Sequence, residues 1–243
     1  MNRGIYTGAS GMIALQKWMD VTANNLANVS TTGYKKDELS FADAYDQQLS
    51  ANGGLGASVG SLSTGTAVNG QYTNFEEGDM KTTNGSLDFA LQDAKTMFKV
   101  QLADGSYAYT RDGAFQLNAA RQLVNTDGYQ VMDSTDRPIT LPDGDVSVNG
   151  TGAISVAGQA VATLGVSQGD FVKIGSNLYE STDATPAANA SIREGALEGS
   201  NVNAVSSMID LIKISRLYDL AQRSITQQDQ LSQNLISSLQ QGA

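Results

Sequence analysis

Residues 3–35 read RGIYTGASGMIALQKWMDVTANNLANVSTTGYK, and this stretch decides the fold. Ile5, Met12, Met19 and Leu26 recur every seven residues, with Gly8, Leu15, Thr22 and Val29 three further on. Such a heptad seam, here with small and polar members, predicts a helix from about Arg3 to about Asn28, roughly 40 Å long at 1.5 Å per residue. Ser30, Thr31, Thr32 and Gly33 end it, because Gly33 is free to take positive φ.

The far end of the chain repeats the device. Leu211, Tyr218, Ile225, Ser232 and Leu239 share one heptad position, and Ile214, Ala221, Gln228 and Leu235 the position three later. No Gly or Pro interrupts residues 200–241. With Ser200 and Asn201 offering N-cap chemistry, a second helix is expected from about Asn203 to about Leu239.

The middle differs in charge and in period. Residues 1–33 carry a net +1 and residues 200–243 a net zero, so the total of −10 leaves −11 on residues 34–199. All three prolines, Pro138, Pro142 and Pro186, lie there too. The runs MFKVQLADGSYAYT, GAFQLNAARQLVNTDGYQVM and DVSVNGTGAISVAG are β-type, and Asp104-Gly105 and Asp127-Gly128 sit between apolar or aromatic stretches as hairpin turns do. Residues 50–75 hold few large apolar side chains and read as a flexible or partner-ordered segment.

The expected fold class is therefore α+β. Long N- and C-terminal helices pair into an α-helical, coiled-coil-like domain, with a mostly antiparallel β domain inserted between them. Residues 1–33 and 200–243 make the discontinuous helical domain, 34–80 an extended linker or partner-ordered segment, and 81–199 the β-rich domain.

Composition removes whole classes of function. His and Cys are absent, which excludes disulfides, thiolate nucleophiles, His-based triads and nearly every zinc site. A charge of −10 disfavours nucleic acid and anionic membrane surfaces. No run reaches the roughly 18 apolar residues of a membrane span, and Gly, Thr and Ser break the start before a signal-peptide apolar region forms. The glycines Gly54, Gly56 and Gly60 are wrongly spaced for a dinucleotide loop, and Asp143-Gly144-Asp145 lacks the Glu of a calcium loop. Asp112 and Asp127 are the carboxylate pair a hydrolase would need, yet both adjoin Gly in turn-like contexts. An exposed aromatic patch using Tyr107, Tyr109 or Tyr129 would be the expected sign if the β domain were a surface binding module. No catalytic, cofactor or metal site is singled out by these residues, although composition leaves carboxylate or Ser/Lys chemistry possible.

Asn24, Asn25 and Asn28 crowd the last turns of the first helix, where Asn is a poor helix former. Either they terminate the helix, or their flat amides exchange hydrogen bonds with a neighbouring subunit. The residues alone leave both open.

IYTGASGM followed by ANNLANVSTTGYK resembles the N-terminal signature of the bacterial flagellar rod and hook protein family. YTRDGAFQLNAARQLVNTDGYQV resembles that family's central β segment, and LEGSNVNAVSSMIDLI with RLYD its C-terminal helix. The three blocks keep the family's order and cover well over half the chain, with proximal-rod members most similar and distal-rod members next. The resemblance implies a structural subunit of the basal-body rod, the tubular shaft that carries motor torque to hook and filament. It implies partners among other rod proteins, copies of the chain and the flagellar type III export apparatus. The implied place is the rod in the periplasmic space, reached without a cleaved signal peptide, with the β domain on the outside. The implied assembly interface comprises Ile5, Met12, Met19, Asn24, Asn25, Leu26, Asn28, Leu211, Ile214, Tyr218, Ile225 and Leu235.

Overall fold

A computed structural model describes residues 3–43, 46–50, 58–63, 65–187 and 190–241. Helix α1 spans Arg3–Ala27 and helix α2 spans Ala204–Gln241, each within two residues of its expected limits. Between them the strands whose register is defined among the described residues pair antiparallel, so the class is α+β. The chain divides into two units. The first comprises Met1–Leu26, Asp37–Tyr72 and Asn203–Ala243, the second Ala27–Lys36 and Thr73–Val202.

In the first unit, strand Asp37–Asp43 pairs with Thr66–Thr73, and Asp46–Ser50 pairs with Ser58–Ser63. Residues 51–57 and 64 of the segment expected to be flexible lie outside the described residues. Phe41 packs edge-on against Trp18 of α1, with ring centroids 5.8 Å apart. Asn25 closes the connection from α1, since its amide donates to Asp37 O at 2.8 Å and accepts from Asp37 N at 2.9 Å. A side-chain amide thus copies the backbone pairing of a sheet, which explains Asn at this helix position.

In the second unit, strand Thr96–Gln101 is the spine of a nine-stranded sheet. It pairs with Tyr107–Thr110 on one side, and with Gln130–Val131 and Val166–Gln168 on the other. Because alternate strand residues face opposite ways, Phe98 and Val100 enter the main core while Met97 enters a second cluster with Tyr109, Phe171 and Tyr179. Ala108 and Leu178 fall on the first face, Tyr109 and Tyr179 on the second. Phe98 and Phe115 meet edge to face at 5.1 Å in the main core. Both faces are therefore covered.

One turn design recurs along this unit. At 102–106, 118–122, 125–129, 133–137 and 149–153 the first residue's N–H bonds to the fifth residue's carbonyl, and the fourth residue's N–H bonds back to the first carbonyl. The fourth position has positive φ each time, at Gly105, Arg121, Gly128, Asp136 and Gly152. In four of the five, Asn118, Asn125, Asp133 or Asn149 stands first, and its Oδ1 accepts from the N–H groups of the third and fifth residues. The two Asp-Gly hairpins expected from sequence are members of this series.

The series gives a graded stability test. Asn125 is buried and Asn149 exposed. Asn125→Ala removes a buried side chain and orphans two partly buried N–H groups, and should cost about 1–3 kcal/mol, whereas Asn149→Ala should cost under about 1 kcal/mol. Thermal melts followed by circular dichroism measure both.

Candidate assembly interface

On α1 the seam residues Ile5, Met12, Met19 and Leu26 are half-buried, with Ala14, Val21 and Thr22 more deeply covered. On α2 the half-buried line runs through Leu211, Tyr218, Ala221 and Ile225, with Ile214 wholly buried. Gly8 and Gly4 of α1 stand against Ile225 and Gln228 of α2. A Cβ built on Gly8 would lie 2.8 Å from Ile225 Cγ1, and one on Gly4 only 2.8 Å from Gln228 Nε2. Because the number rises along α1 as it falls along α2, the two helices run antiparallel here. Polar seam members satisfy themselves locally: Thr22 Oγ1 donates to Trp18 O, and Ser232 Oγ donates to Gln228 O.

The remaining expected interface residues scatter. Asn25 is buried by its clasp on Asp37, Asn28 accepts the Thr31 hydroxyl at 3.2 Å, and Asn24 and Leu235 are exposed. Among the described residues, a second apolar face of α2 has no partner within its unit. Val205, Met208, Ile209 and Ile212 are 67%, 53%, 46% and 55% exposed, at helical spacings that set them opposite the buried seam. On α1, Tyr6 and Ile13, seven apart, are 62% and 69% exposed. The stripe VSSMIDLI was visible in the sequence, but a heptad template assigns a helix only one apolar face.

The helix ends are prepared inside the second unit by a buried charge cluster that the sequence reading did not single out. Glu198 Oε1 accepts from Lys35 Nζ at 2.6 Å and from Gly78 N at 2.9 Å, while Glu198 Oε2 accepts from Arg111 Nε. Lys35 also donates to Glu76 O at 2.6 Å. Arg111 spends its other donors on the carbonyls of Leu91, Asp93 and Thr96 and on Thr96 Oγ1. All three side chains are at most 1% exposed. Gly33, with φ of +64°, lets the chain pass: a Cβ there would sit 2.4 Å from Arg111 C. These residues come one each from TTGYK, YTRDG and LEGSN, so the three sequence blocks meet at one point.

Burial drives Lys35 below the ordinary lysine range, with Glu198 opposing. Burial pushes Glu198 upward, but Arg111 and Lys35 outweigh it and hold the carboxyl below its ordinary value. Asp112 is held above the usual range by burial, against the hydrogen bonds from Thr32 and Ala114.

The other residues noted in the sequence have structural places. Asp112 accepts from Thr32 and Ala114, and Asp127 is an exposed turn residue. Asp143 pairs with Arg121 at 2.7 Å. Gly54 and Gly56 lie outside the described residues. Tyr107 is exposed, Tyr109 buried and Tyr129 packed on the main core, so the three make no common patch. The N-cap of α2 is Asn203, whose Oδ1 accepts from Ser206 N at 3.0 Å, not Ser200 or Asn201. Asn201 is held elsewhere, its Oδ1 taken by Lys36 N. Among the described residues no group of three or more acidic side chains could hold a metal ion, and no helix is long and apolar enough to cross a membrane.

Terminal helices with an antiparallel β region between them give the outline of the fold, and comparison with known proteins fixes the family. Residues 5–35 match the description "Flagella basal body rod protein", 93–156 "Flagellar hook protein FlgE/F/G D1 domain", and 193–238 "Flagellar basal body rod FlgEFG protein C-terminal". The chain is 33% identical over 248 aligned positions to the flagellar basal-body rod protein FlgF of Caulobacter vibrioides, covering 98% of each chain. It is 32% identical to FlgG of Borreliella burgdorferi over 259 positions, covering 95% of this chain and 96% of the relative. FlgG of Bacillus subtilis is also 32% identical, over 264 positions, covering 98% of this chain and 99% of the relative. The chain belongs to the flagellar basal-body rod protein family.

Gly8→Ala should loosen the helix pair because its methyl meets Ile225, whereas Gly11→Ala, facing open space, should stabilise α1 by about 0.5–1 kcal/mol. Helical circular dichroism against temperature separates the two. Because Glu198 titrates lower folded than unfolded, its contribution is complete above the ordinary value of 4.5 and is lost as pH falls through the folded value. Asp112, raised by burial, acts with the opposite sign. Glu198→Gln should remove the acid-side loss and, by stranding Lys35 and Arg111, cost about 3–5 kcal/mol at neutral pH. Urea titrations at pH 3 to 8 measure both effects.

Proposed function

We propose that this chain is a proximal-rod subunit that joins copies of itself and other rod proteins through its terminal helices, in the shaft carrying motor torque to hook and filament. The observation that carries the reading is the second apolar face of α2. A helix packed on one side and wetted on the other is amphipathic, whereas Val205, Met208, Ile209 and Ile212 stand opposite an already buried seam. Such a face calls for a neighbour. In a helical assembly that neighbour presents a different surface of an adjacent subunit, and Tyr6 and Ile13 of α1 are available for it.

The pairing of α1 with α2 is coiled-coil-like in this reading. Continuing the antiparallel register from Gly8 and Ile225 sets Leu15 near Tyr218, Met19 near Ile214 and Thr22 near Leu211, which matches the burial of all six. Nearly neutral ends suit a crowded wall of like helices, and a middle at −11 suits a solvated exterior. The proximal position is supported by alignment length: the same 98% of this chain spans 248 positions with FlgF of Caulobacter vibrioides but 264 with FlgG of Bacillus subtilis, which therefore carries residues this chain lacks. The subunit acts by assembly without catalysis or cofactor. It reaches the periplasmic space through the flagellar type III export apparatus.

Ile212→Asp tests the reading, since an unpaired charge in a buried helix contact costs several kcal/mol. The purified variant should keep the circular dichroism and melting of the parent, be secreted, and yet support neither rods nor swimming in a deletion strain. Normal rods in that strain with the variant, or with no copy of the gene, would overturn the assignment.

A further inference from the structure

The chain crosses between its two units at 26/27, 36/37, 72/73 and 202/203. On the second unit's side, three of these crossings are fastened by one side chain. Asn201 Oδ1 accepts from Lys36 N at 2.8 Å, and Asn201 Nδ2 donates to Asn74 O at 2.9 Å and Glu76 O at 3.1 Å. Its own N–H donates to Tyr34 O at 3.3 Å, and Asn74 N donates to Lys36 O at 2.9 Å. Lys36 adjoins one crossing, Asn74 lies two residues from the second, and Asn201 itself two residues from the third.

We propose that Asn201 is a load-sharing clasp, which makes the segments at residues 36, 74 and 201 bear force together where the chain leaves the β-rich unit. Only an amide can do this, since it accepts on one edge and donates twice on the other. All its partners are backbone groups, so a pull on any one segment reaches the other two before a strand can peel away. Hydrogen bonds loaded side by side resist together, whereas bonds loaded in sequence break one at a time. The second tie of the same segments, Glu198 with Lys35 and Gly78, lies three residues back along the chain. That the load is motor torque rests on the rod reading; the clasp itself does not.

The chain has no Cys, so paired cysteines introduced into the full-length protein give unique handles for force spectroscopy. Handles at exposed Gln71 and Lys213 load the crossings at 72/73 and 202/203, and handles at exposed Ala42 and Lys213 load those at 36/37 and 202/203. Exposed Ala103 and Gln159 load the β unit away from the clasp. Asn201→Ala should lower the unfolding force of the second unit about twofold on the first two axes and leave the third unchanged. Asn201→Asp, equal in shape, keeps the acceptor for Lys36 N but sets a carboxylate oxygen against the carbonyls of Asn74 and Glu76, so it should weaken the Gln71 axis more than the Ala42 axis. An equal fall on all three axes would mean general destabilisation and would overturn the clasp, as would an Asn201→Asp variant that resists like the parent on the Gln71 axis. Normal rods in a deletion strain would remove the rod reading and leave these forces as they are, so the two failures are distinct.

Discussion

The contact on which the rest depends is the closure of Lys35 and Arg111 on Glu198. Two cations and one anion out of water are costly unless each finds a full set of partners. Here Arg111 reaches Glu198, three carbonyls and a hydroxyl, and Lys35 reaches Glu198 and a carbonyl. A shift of one residue in any of the three segments would bury an unpaired charge. The cluster thereby selects one register for the segment leaving α1, the segment just after strand Tyr107–Thr110, and the segment that leads to α2. Gly33 and Gly113 are part of the same constraint, since a Cβ at either would strike backbone.

Around this point the β-rich unit is assembled from locally determined parts. Each turn of the recurring series is capped by its own Asn or Asp, or in one case by Asp104 bonding to Ser106, so the strand registers are fixed before long-range packing contributes. The core then only has to be filled, by Phe98, Phe115, Leu123 and their neighbours. The helical unit is of the opposite kind. Its seam is thin and partly polar, and Gln228 keeps a buried Oε1 without a partner among the described residues. Much of its apolar surface faces outward.

How much of this was legible follows from how local each signal is. Both helices, the stop at Gly33 and the two Asp-Gly hairpins could be read because period, cap and turn residues lie next to one another. The same turns at Arg121 and Asp136 could not, since neither is glycine and positive φ leaves no mark on them. Asn203 as the cap of α2 was missed by two or three residues because Ser200 and Asn201 are equally good cap types. Lys35, Arg111 and Glu198 lie within TTGYK, YTRDG and LEGSN, where no local feature distinguishes them from surface charges. A buried charge cluster is a tertiary fact, and only the scarcity of charge in the chain hinted at it. The outward face of α2 escaped because one seam had already accounted for the periodicity.

The span of the charge cluster also sets the order in which the molecule can fold. Lys35 and Glu198 are 163 residues apart, and Arg111 and Glu198 are 87 apart, whereas the hairpin turns close over five residues. Short loops close in well under a microsecond to microseconds, while distant segments must wait for long-range closure. During synthesis Lys35 and Arg111 leave the ribosome long before Glu198, and until it arrives neither cation has its counter-ion. Hairpins form early and the junction closes last, so in a nascent chain lacking residue 198 the segment after the end of α1 and the segment before the start of α2 are not yet tied together.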